Sequence, residues 1–355
     1  MRAFVVESFD RPPVPAEFQE PRAGEGVVLE VSAAGLNPFD AVYAAGRHPI
    51  GRPPLPSVVG REGVGRTADG RRVFFEGAEP PFGSLAPRVL VREERLLGIR
   101  DEIDDATAIA LGSAGITAWL ALAGRAEIAG GESVVILGAT GAVGSAAVQI
   151  AKLLGARRVV AVGRDSEALA RTRRQGADAS VEIGAEQDLA AAIEAAADGA
   201  VEVVLDLLWG PPARAALQVA SPGARLVQVG SSAALEPPLP ANPWRTRGVS
   251  LLGFSVLTAS PEEKAAAYEL LLGHAAAGRI ETATEVLPFA EIERAWELLP
   301  AGGKRKLILA MPHGASSGWP PRVAAALDPR PSTPGTRGSA RELAQGRHIA
   351  GRDDT

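Results

Sequence analysis

The sequence predicts an α/β fold in which a small, mostly-β unit precedes a doubly wound parallel sheet. Two textures and one turn carry that prediction. The first hundred residues are rich in Pro and Gly and hold short β-type runs, "VVLEVSAAGL" (27–36), "RRVFF" (71–75) and "APRVLVR" (86–92). Turn signals separate them at close intervals, as in a small, partly closed all-β unit. From about Asp104 the pattern changes to strand-like runs alternating with helical ones, which argues a parallel sheet covered on both faces. Within that second texture lies a glycine-rich turn, "VVILGATGAVGSAAVQIAKLLGA" (134–156).

The elements follow in order. "DATAIALGSAGITAWLALAGRAEIAGGE", starting at Asp105, has long helical spacing. The strand-like runs are "SVVILG", "RRVVAVG", "VEVVLDLL", "ARLVQVG" and "VSLLGFSV". Each is nearly continuously apolar instead of alternating, which is how strands buried on both faces read. "GSAAVQIAKLLGA", "SEALARTRRQGA", "EQDLAAAIEAAAD" and "PPARAALQVASPG" are the helices between them. A further helix, "SPEEKAAAYELLLGHAAAG", has Ser260 as its N-cap and Pro261 at its first position. "ATEVLPFAEIERAWELLPAGGKRKLILAMP" reads as a strand, a helix and a strand that return to the first unit. Residues 313–355 are crowded with Gly, Pro, Ser, Thr and Arg, lack a sustained apolar period, and read as a mobile tail.

Composition narrows the chemistry. The chain has 355 residues, 46 % of them apolar, a net charge of −5 and no cysteine. Disulfides, thiolate nucleophiles and thiolate-bound zinc are therefore excluded. Nothing in the charge pattern calls for a nucleic-acid partner. No uninterrupted apolar window reaches membrane-spanning length, and "MRAFVVESFD" is no secretory leader, so a cytoplasmic protein is expected.

Gly138, Gly141 and Gly144 directly follow a buried strand and open a helix with the apolar face Val143, Ala147, Ile150, Ala151 and Leu154. In that context the glycines permit a tight turn, close approach of backbone N–H groups to a pyrophosphate, and close helix–strand packing. The helix N-terminus offers unpaired donors and positive potential to phosphate. Dinucleotide binding is the expectation. Where an acid would bind the ribose 2′-hydroxyl of NAD, the second strand ends "VVAVGRD". Gly163 makes room there and Arg164 can grip a 2′-phosphate, favouring NADP(H), although Asp165 lies one residue on.

"AAGLNPFD" (33–40), "VVGREGVG" (58–65), "GITAWLAL" (115–122), "GATGAVGSAAVQIAKLLGA" (138–156), "LVQVGSSA" (226–233) and "GKRKLIL" (303–309) occur in that order. With them the sequence resembles the medium-chain dehydrogenase/reductase superfamily, specifically its zinc-independent quinone oxidoreductase (zeta-crystallin-like) branch. The resemblance implies a GroES-like, mostly-β catalytic domain (1–105 and 282–312), a Rossmann cofactor domain (106–281) and a homodimer joined through the cofactor domains. It places Thr140, Gly141, Ala142, Val143 and Gly144 around the pyrophosphate, and Gly163 and Arg164 at the 2′-phosphate. Gly230, Ser231, Phe254, Ser255, Asn37 and Thr117 then stand around the nicotinamide ribose and ring. Zinc-dependent relatives carry Cys at the position of Asn37 and His at that of Arg61. An arginine cannot coordinate a cation, so no metal is expected.

The implied activity is NADPH-dependent hydride transfer to a small quinone or α,β-unsaturated carbonyl compound. An enoyl-thioester reductase and a non-catalytic NADPH-binding redox sensor are the alternatives. Tyr43 is the candidate donor to the developing oxyanion, or a packed ring with its hydroxyl in water, and His48 the candidate proton source, or a surface residue of a Pro/Gly-rich loop. Arg61 either attracts an acidic or phosphorylated substrate or only pairs with Glu62 or Asp40. Asp206, ending "VVLD", is expected to fix a loop, with Trp209 beside it in the cleft wall or core.

Overall fold

The computed structural model describes residues 1–24, 26–184, 188–299 and 305–312. The 313–355 segment read as a tail lies outside them. The first hundred residues form β1 (Arg2–Val6), β2 (Val14–Glu17), β3 (Val27–Leu36), the helix α1 (Pro38–Ala44), β4 (Ser57–Val58), β5 (Glu62–Arg66), β6 (Arg72–Glu76), β7 (Arg88–Val91) and β8 (Leu96–Gly98). Next come α2 (Asp105–Leu111) and α3 (Ser113–Trp119), the latter continuing into a π-helical turn over Leu120–Arg125. The single long helix suggested by the spacing is thus broken at Gly112, whose ψ of −120° is not helical.

The parallel sheet contains β9 (Ser133–Leu137), β10 (Arg158–Gly163), β11 (Ala179–Glu182), β12 (Val203–Asp206), β13 (Arg225–Gln228) and β14 (Ser250–Gly253). Between and after them run α4 (Ala142–Leu153), α5 (Ser166–Arg174), α6 (Leu189–Ala196), α7 (Gly210–Val219), α8 (Asn242–Arg247) and α9 (Pro261–Ala276). The last elements are β15 (Thr284–Pro288), α10 (Ile292–Leu298) and β16 (Lys306–Ala310).

The six parallel strands are ordered β11-β10-β9-β12-β13-β14, so the chain reverses direction across the sheet between β9 and β12. All five residues of β9 are buried, as a strand with helices on both faces requires. Burying each Val, Ile or Leu of this kind stabilises by roughly 1.5–3 kcal/mol, an upper bound because the unfolded chain is itself partly collapsed. β11 is a strand that the apolar runs of the sequence do not announce. Only Val181 of "ASVE" is buried, since the strand lies at the sheet edge.

A seven-stranded mixed sheet runs β15-β16-β3-β5-β6-β8, with β7 also paired to β3. β16 pairs antiparallel with β3, Leu309 opposite Ala34, so the last strand does return to the first part of the chain. Ser260 caps α9 as expected, accepting from the Glu263 N–H at 3.2 Å. Tyr268 on that helix is a core residue whose hydroxyl donates to the Ala108 carbonyl at 2.9 Å.

No single helix among the described residues is long and apolar enough to cross a membrane. The bent pair α2–α3 passes by length and composition, but its apolar residues lie mostly in the core.

Candidate functional site

The carboxyl ends of the parallel strands bring the glycine turn, Gly163, Gly230 and Phe254 to one edge of the sheet, beside the point where strand order reverses, where such sheets bind ligands. The Gly138 N–H donates to the Val162 carbonyl at 2.9 Å, fastening the turn to β10. Gly138 has φ +87°. A Cβ on Gly144 would lie 2.3 Å from the Gly138 carbonyl oxygen, so this position must be glycine for α4 to pack against the turn. A Cβ on Gly141 would meet nothing nearer than 3.7 Å, leaving the mouth of the turn open. Gly141 and Ala142 are exposed at the start of the twelve-residue helix α4, with no side chain capping it. An open backbone cradle under a helix N-terminus fits a pyrophosphate.

Gly163 packs against this turn. A Cβ there would lie 2.7 Å from Thr140 Cγ2, so glycine is required by packing as well as by any 2′-phosphate. Arg164 is exposed, while Asp165 turns away to cap α5, accepting from the Ala168 N–H at 2.8 Å. On the other side of Gly138 stand Leu207 and Leu208, and a Cβ on Gly230 would lie 2.6 Å from the Leu207 carbonyl oxygen. Gly163, Thr140, Gly138, Leu207 and Gly230 therefore form a continuous band, and Ser231 follows it.

Asp206 fixes the middle of that band. Its Oδ1 accepts from the Leu208 and Trp209 N–H groups at 2.9 and 2.8 Å. Burial pushes its carboxyl up to about 6 against the pull of those bonds, and Oδ2 is buried with no partner among the described residues. Trp209 is half-buried and held at φ +61°, a left-handed backbone that a bulky residue rarely adopts.

Phe254 packs against the core, whereas Ser255 is exposed and caps a short helical turn, accepting from the Leu257 N–H at 3.3 Å.

Asn37 and Thr117 meet through a buried polar cluster. Asn37 Nδ2 donates to Glu62 Oε1 at 3.0 Å. Lys306 Nζ donates to Asn37 Oδ1 at 2.5 Å and also to Glu62 Oε1. The Ser113 N–H donates to Glu62 Oε2 at 3.3 Å, and the Thr117 hydroxyl donates to the Ser113 carbonyl at 2.6 Å. Burial pushes the Glu62 carboxyl up, but the Lys306 ammonium and these donors outweigh it and hold the group below its ordinary range. Asp40, which accepts from the Asn37 N–H at 2.8 Å, is pushed up to about 7 by burial. Lys306 also faces a narrow cleft of about 30 Å³ with Thr140, Gly141 and Ala142. The cluster thus ties β5, α1, β16 and α3 together beside the glycine turn. Glu62 and Lys306 do not stand out in the sequence as members of such a cluster; a charged residue inside an apolar run, as in "KLIL" and "EGVG", is the available signal.

Tyr43 and Arg61 line a larger cavity of about 280 Å³. The Tyr43 and Phe39 rings stack at 5.3 Å. Arg61 pairs with Glu76, Nε to Oε1 at 3.2 Å, in place of the expected Glu62 or Asp40, because the Glu62 carboxylate is already held by Lys306. Its guanidinium lies 5.1 Å from the centroid of the Phe39 ring. His48 packs on Phe39 at 4.5 Å and does not line the cavity. Its Nδ1 accepts from the Ile50 N–H at 3.2 Å, and partial burial together with Arg61 lowers its pKa.

Asn37 and Arg61 do not fit a zinc ion: one amide is committed to Glu62 and Lys306, and the other side chain is a cation paired with Glu76. Among the described residues no group of three or more His, Cys, Asp or Glu side chains could hold a metal.

The model of a zinc-binding dehydrogenase family matches residues 142–272. The solved quinone oxidoreductase from Thermus thermophilus, also determined in complex with NADPH, is 32 % identical. The alignment covers 87 % of this chain and all of that one, with a TM-score of 0.76. The chain belongs to the medium-chain dehydrogenase/reductase superfamily, in its quinone oxidoreductase branch. Such proteins combine a GroES-like part with a Rossmann part, and the mixed and parallel sheets here have that architecture. A phenolphthiocerol/phthiocerol polyketide synthase component of Mycobacterium tuberculosis is 33 % identical over 220 residues, 58 % of this chain. The NADPH-dependent alkenal/one oxidoreductase of Arabidopsis thaliana is 34 % identical over 173 residues, 44 % of this chain. The chain spans about a tenth of the synthase component and under half of the Arabidopsis protein.

Proposed function

We propose that this protein is a zinc-independent, NADPH-dependent oxidoreductase that reduces a small quinone or α,β-unsaturated carbonyl compound. The observation that carries the reading is the open glycine cradle at the carboxyl edge of the parallel sheet, in a chain that aligns along the whole of a solved quinone oxidoreductase. Thr140 to Gly144 would hold the pyrophosphate with backbone N–H groups, and Arg164 the 2′-phosphate. Gly230, Ser231, Phe254, Asn37 and Thr117 would border the nicotinamide half, the last two by shaping its wall, since their side chains are engaged internally. NADPH, when bound, supplies the hydride. Tyr43, on the neighbouring cavity wall, offers a hydroxyl to the oxygen of the acceptor, and the stacked Phe39 ring holds it there. The division at 1–105 with 282–312 against 106–281 belongs to this reading. So does a homodimer in which the edge strand β14, with Leu251 45 % exposed, meets its counterpart.

Similarity to a polyketide synthase favours a second reading, reduction of an enoyl thioester. Purified protein mixed with NADPH and a panel of quinones, enones and enoyl thioesters separates the readings by which acceptor drives NADPH oxidation. Tight NADPH binding with no oxidation by any acceptor would refute both and leave the redox sensor. Preference for NADH would refute the assignment of Arg164.

A further inference from the structure

Arg61 lines the 280 Å³ cavity together with Tyr43, Phe39 and Asp40. Only part of its guanidinium is used inside the protein. Nε bonds Glu76 Oε1 at 3.2 Å, and Cζ lies over the Phe39 ring, 5.1 Å from its centroid. The two amino groups, Nη1 and Nη2, bond no acceptor among the described residues. The side chain is 24 % exposed, so it is neither sunk in the core nor loose in solvent. A planar guanidinium fixed through Nε and over a ring keeps its orientation while its remaining N–H groups stay on offer.

Neighbouring acids do not use those N–H groups. Asp40 and Glu79 line the same cavity, and neither forms an ion pair with Arg61 among the described residues. Asp40 Oδ2 accepts from the Asn37 N–H at 2.8 Å, and burial pushes this carboxyl up to about 7, so near that pH it is partly neutral. The Arg61 charge reaches it at longer range. Glu79 is paired with Arg95 at 3.2 Å, and Glu62 is held by Lys306. Glu76 is itself shared, its other oxygen lying 3.9 Å from Lys264 on α9. His48, packed on the same Phe39 ring, has its pKa lowered by partial burial and by Arg61.

We propose that Arg61 is a catalytic residue of this cavity: Nη1 and Nη2 hydrogen-bond the carbonyl oxygen of the acceptor and stabilise the charge that forms there, with Tyr43 as a neutral second donor. The proposal rests on the reductase reading. When the β-carbon of an enone takes the hydride, the C=C electron pair moves towards the carbonyl and the oxygen becomes that of an enolate. A quinone that takes the hydride likewise becomes a hydroquinone monoanion with its charge on oxygen. Arg61 keeps its own protons, because arginine is not deprotonated in proteins. Water supplies the proton that ends on the α-carbon of the enone or on the hydroquinone oxygen. The role of the guanidinium is thus electrostatic, and losing one such donor costs about 10²–10³-fold in kcat.

The test titrates 4-nitrophenol into the full chain without nucleotide and follows the visible absorbance of its ionised form as pH is varied. A single aromatic ring with its charge on oxygen mimics the proposed oxyanion. We expect the bound phenol to ionise at least about one pH unit lower than in water, as an opposite charge at close range makes it do. That is an ionised form bound about tenfold more tightly than the neutral one. Arg61→Gln should abolish the shift and Arg61→Lys should keep most of it. Glu76 retains Lys264 in both variants, so their Tm should match the wild type. With NADPH and an acceptor, Arg61→Gln should lower kcat by about 10²–10³-fold and leave the NADPH dissociation constant unchanged. No shift in the wild type, or a shift that survives Arg61→Gln, overturns the proposal. Because the titration contains no nucleotide, an Arg61-dependent shift in a protein that oxidises NADPH with no acceptor would uphold the oxyanion site and defeat the reductase reading alone.

Discussion

Replacing Lys306 by Met removes one ammonium from a place where solvent cannot make up the loss. Lys306 and Glu62 have side chains 3 % and 0 % exposed, and among the described residues the ammonium is the one positive group bonded to the Glu62 carboxylate. Breaking a buried pair by deleting one partner costs about 3–5 kcal/mol, because the other charge is left uncompensated. Asn37 Oδ1 also loses its donor and Asp40 a nearby positive charge, so the upper part of that range is expected here. At roughly 2–4 °C per kcal/mol this is a drop of about 10 °C or more in Tm.

The pH dependence distinguishes this mechanism from simple loss of packing. In the wild type the Glu62 pKa lies below its ordinary 4.5, so its contribution to stability is present above that pH and is lost as pH falls through the folded value. In Lys306→Met burial acts without the ammonium and the pKa is raised instead. Its contribution is then present at low pH and lost as pH rises. The gap between wild type and variant should be widest near pH 8 and should narrow steadily towards pH 5. Urea unfolding at both pH values measures it. A second variant, Glu62→Gln with Lys306→Met, should recover part of the loss, since the orphaned charge is gone. A gap below about 1 kcal/mol at pH 8, far under the range for a broken buried pair, or one that does not narrow on acidification, would refute the reasoning.

Three further outcomes are expected. Asp206→Asn should raise stability at pH 8 by an amount on the order of 1–3 kcal/mol and keep only about half of that advantage at pH 5, because a carboxyl raised from 3.8 to about 6 costs nothing below its unfolded value and costs progressively more as pH rises between the two, the full amount being reached above 6; lower stability than wild type in urea at pH 8 contradicts this. Tyr43→Phe should lower kcat by about 10²-fold and leave the NADPH dissociation constant unchanged, as removal of one oxyanion donor does; an unchanged kcat assigns the hydroxyl no part in the reaction. Gly163→Asp should weaken both NADPH and NADH binding instead of exchanging one for the other, since its Cβ would meet Thr140 Cγ2 at 2.7 Å and disturb the glycine turn; a clean switch to NADH in a titration of both nucleotides would show that the turn yields.

The parallel sheet is legible in the sequence because burial on both faces forces unbroken apolar runs, and β9, β10 and β12 are of that kind. β11 escapes for the opposite reason: an edge strand with one buried residue has no such constraint on its sequence. The glycine turn is legible because Gly138 and Gly144 answer local requirements of backbone geometry, a positive φ and a close approach of helix to turn. The buried cluster is not, because Asn37, Glu62 and Lys306 are far apart in sequence and meet only once β3, β5 and β16 have paired. A lysine within "KLIL" announces burial of a charge without naming its partner.

Gly163 shows where a local signal carries two causes. From sequence, its lack of a carboxylate reads as room for a 2′-phosphate. In the structure, Thr140 Cγ2 already occupies the space that any side chain there would need. An acid at this position would have to push that methyl group aside whichever nucleotide bound, so packing accounts for the glycine without reference to NADP or NAD. On the function proposed above, the discrimination falls to the next residue. Asp165 is engaged in capping α5 through Oδ1, and Arg164 is exposed just past the end of β10. On the same proposed function, the preference for the phosphorylated nucleotide rests on Arg164 and on the cap that engages the adjacent acid.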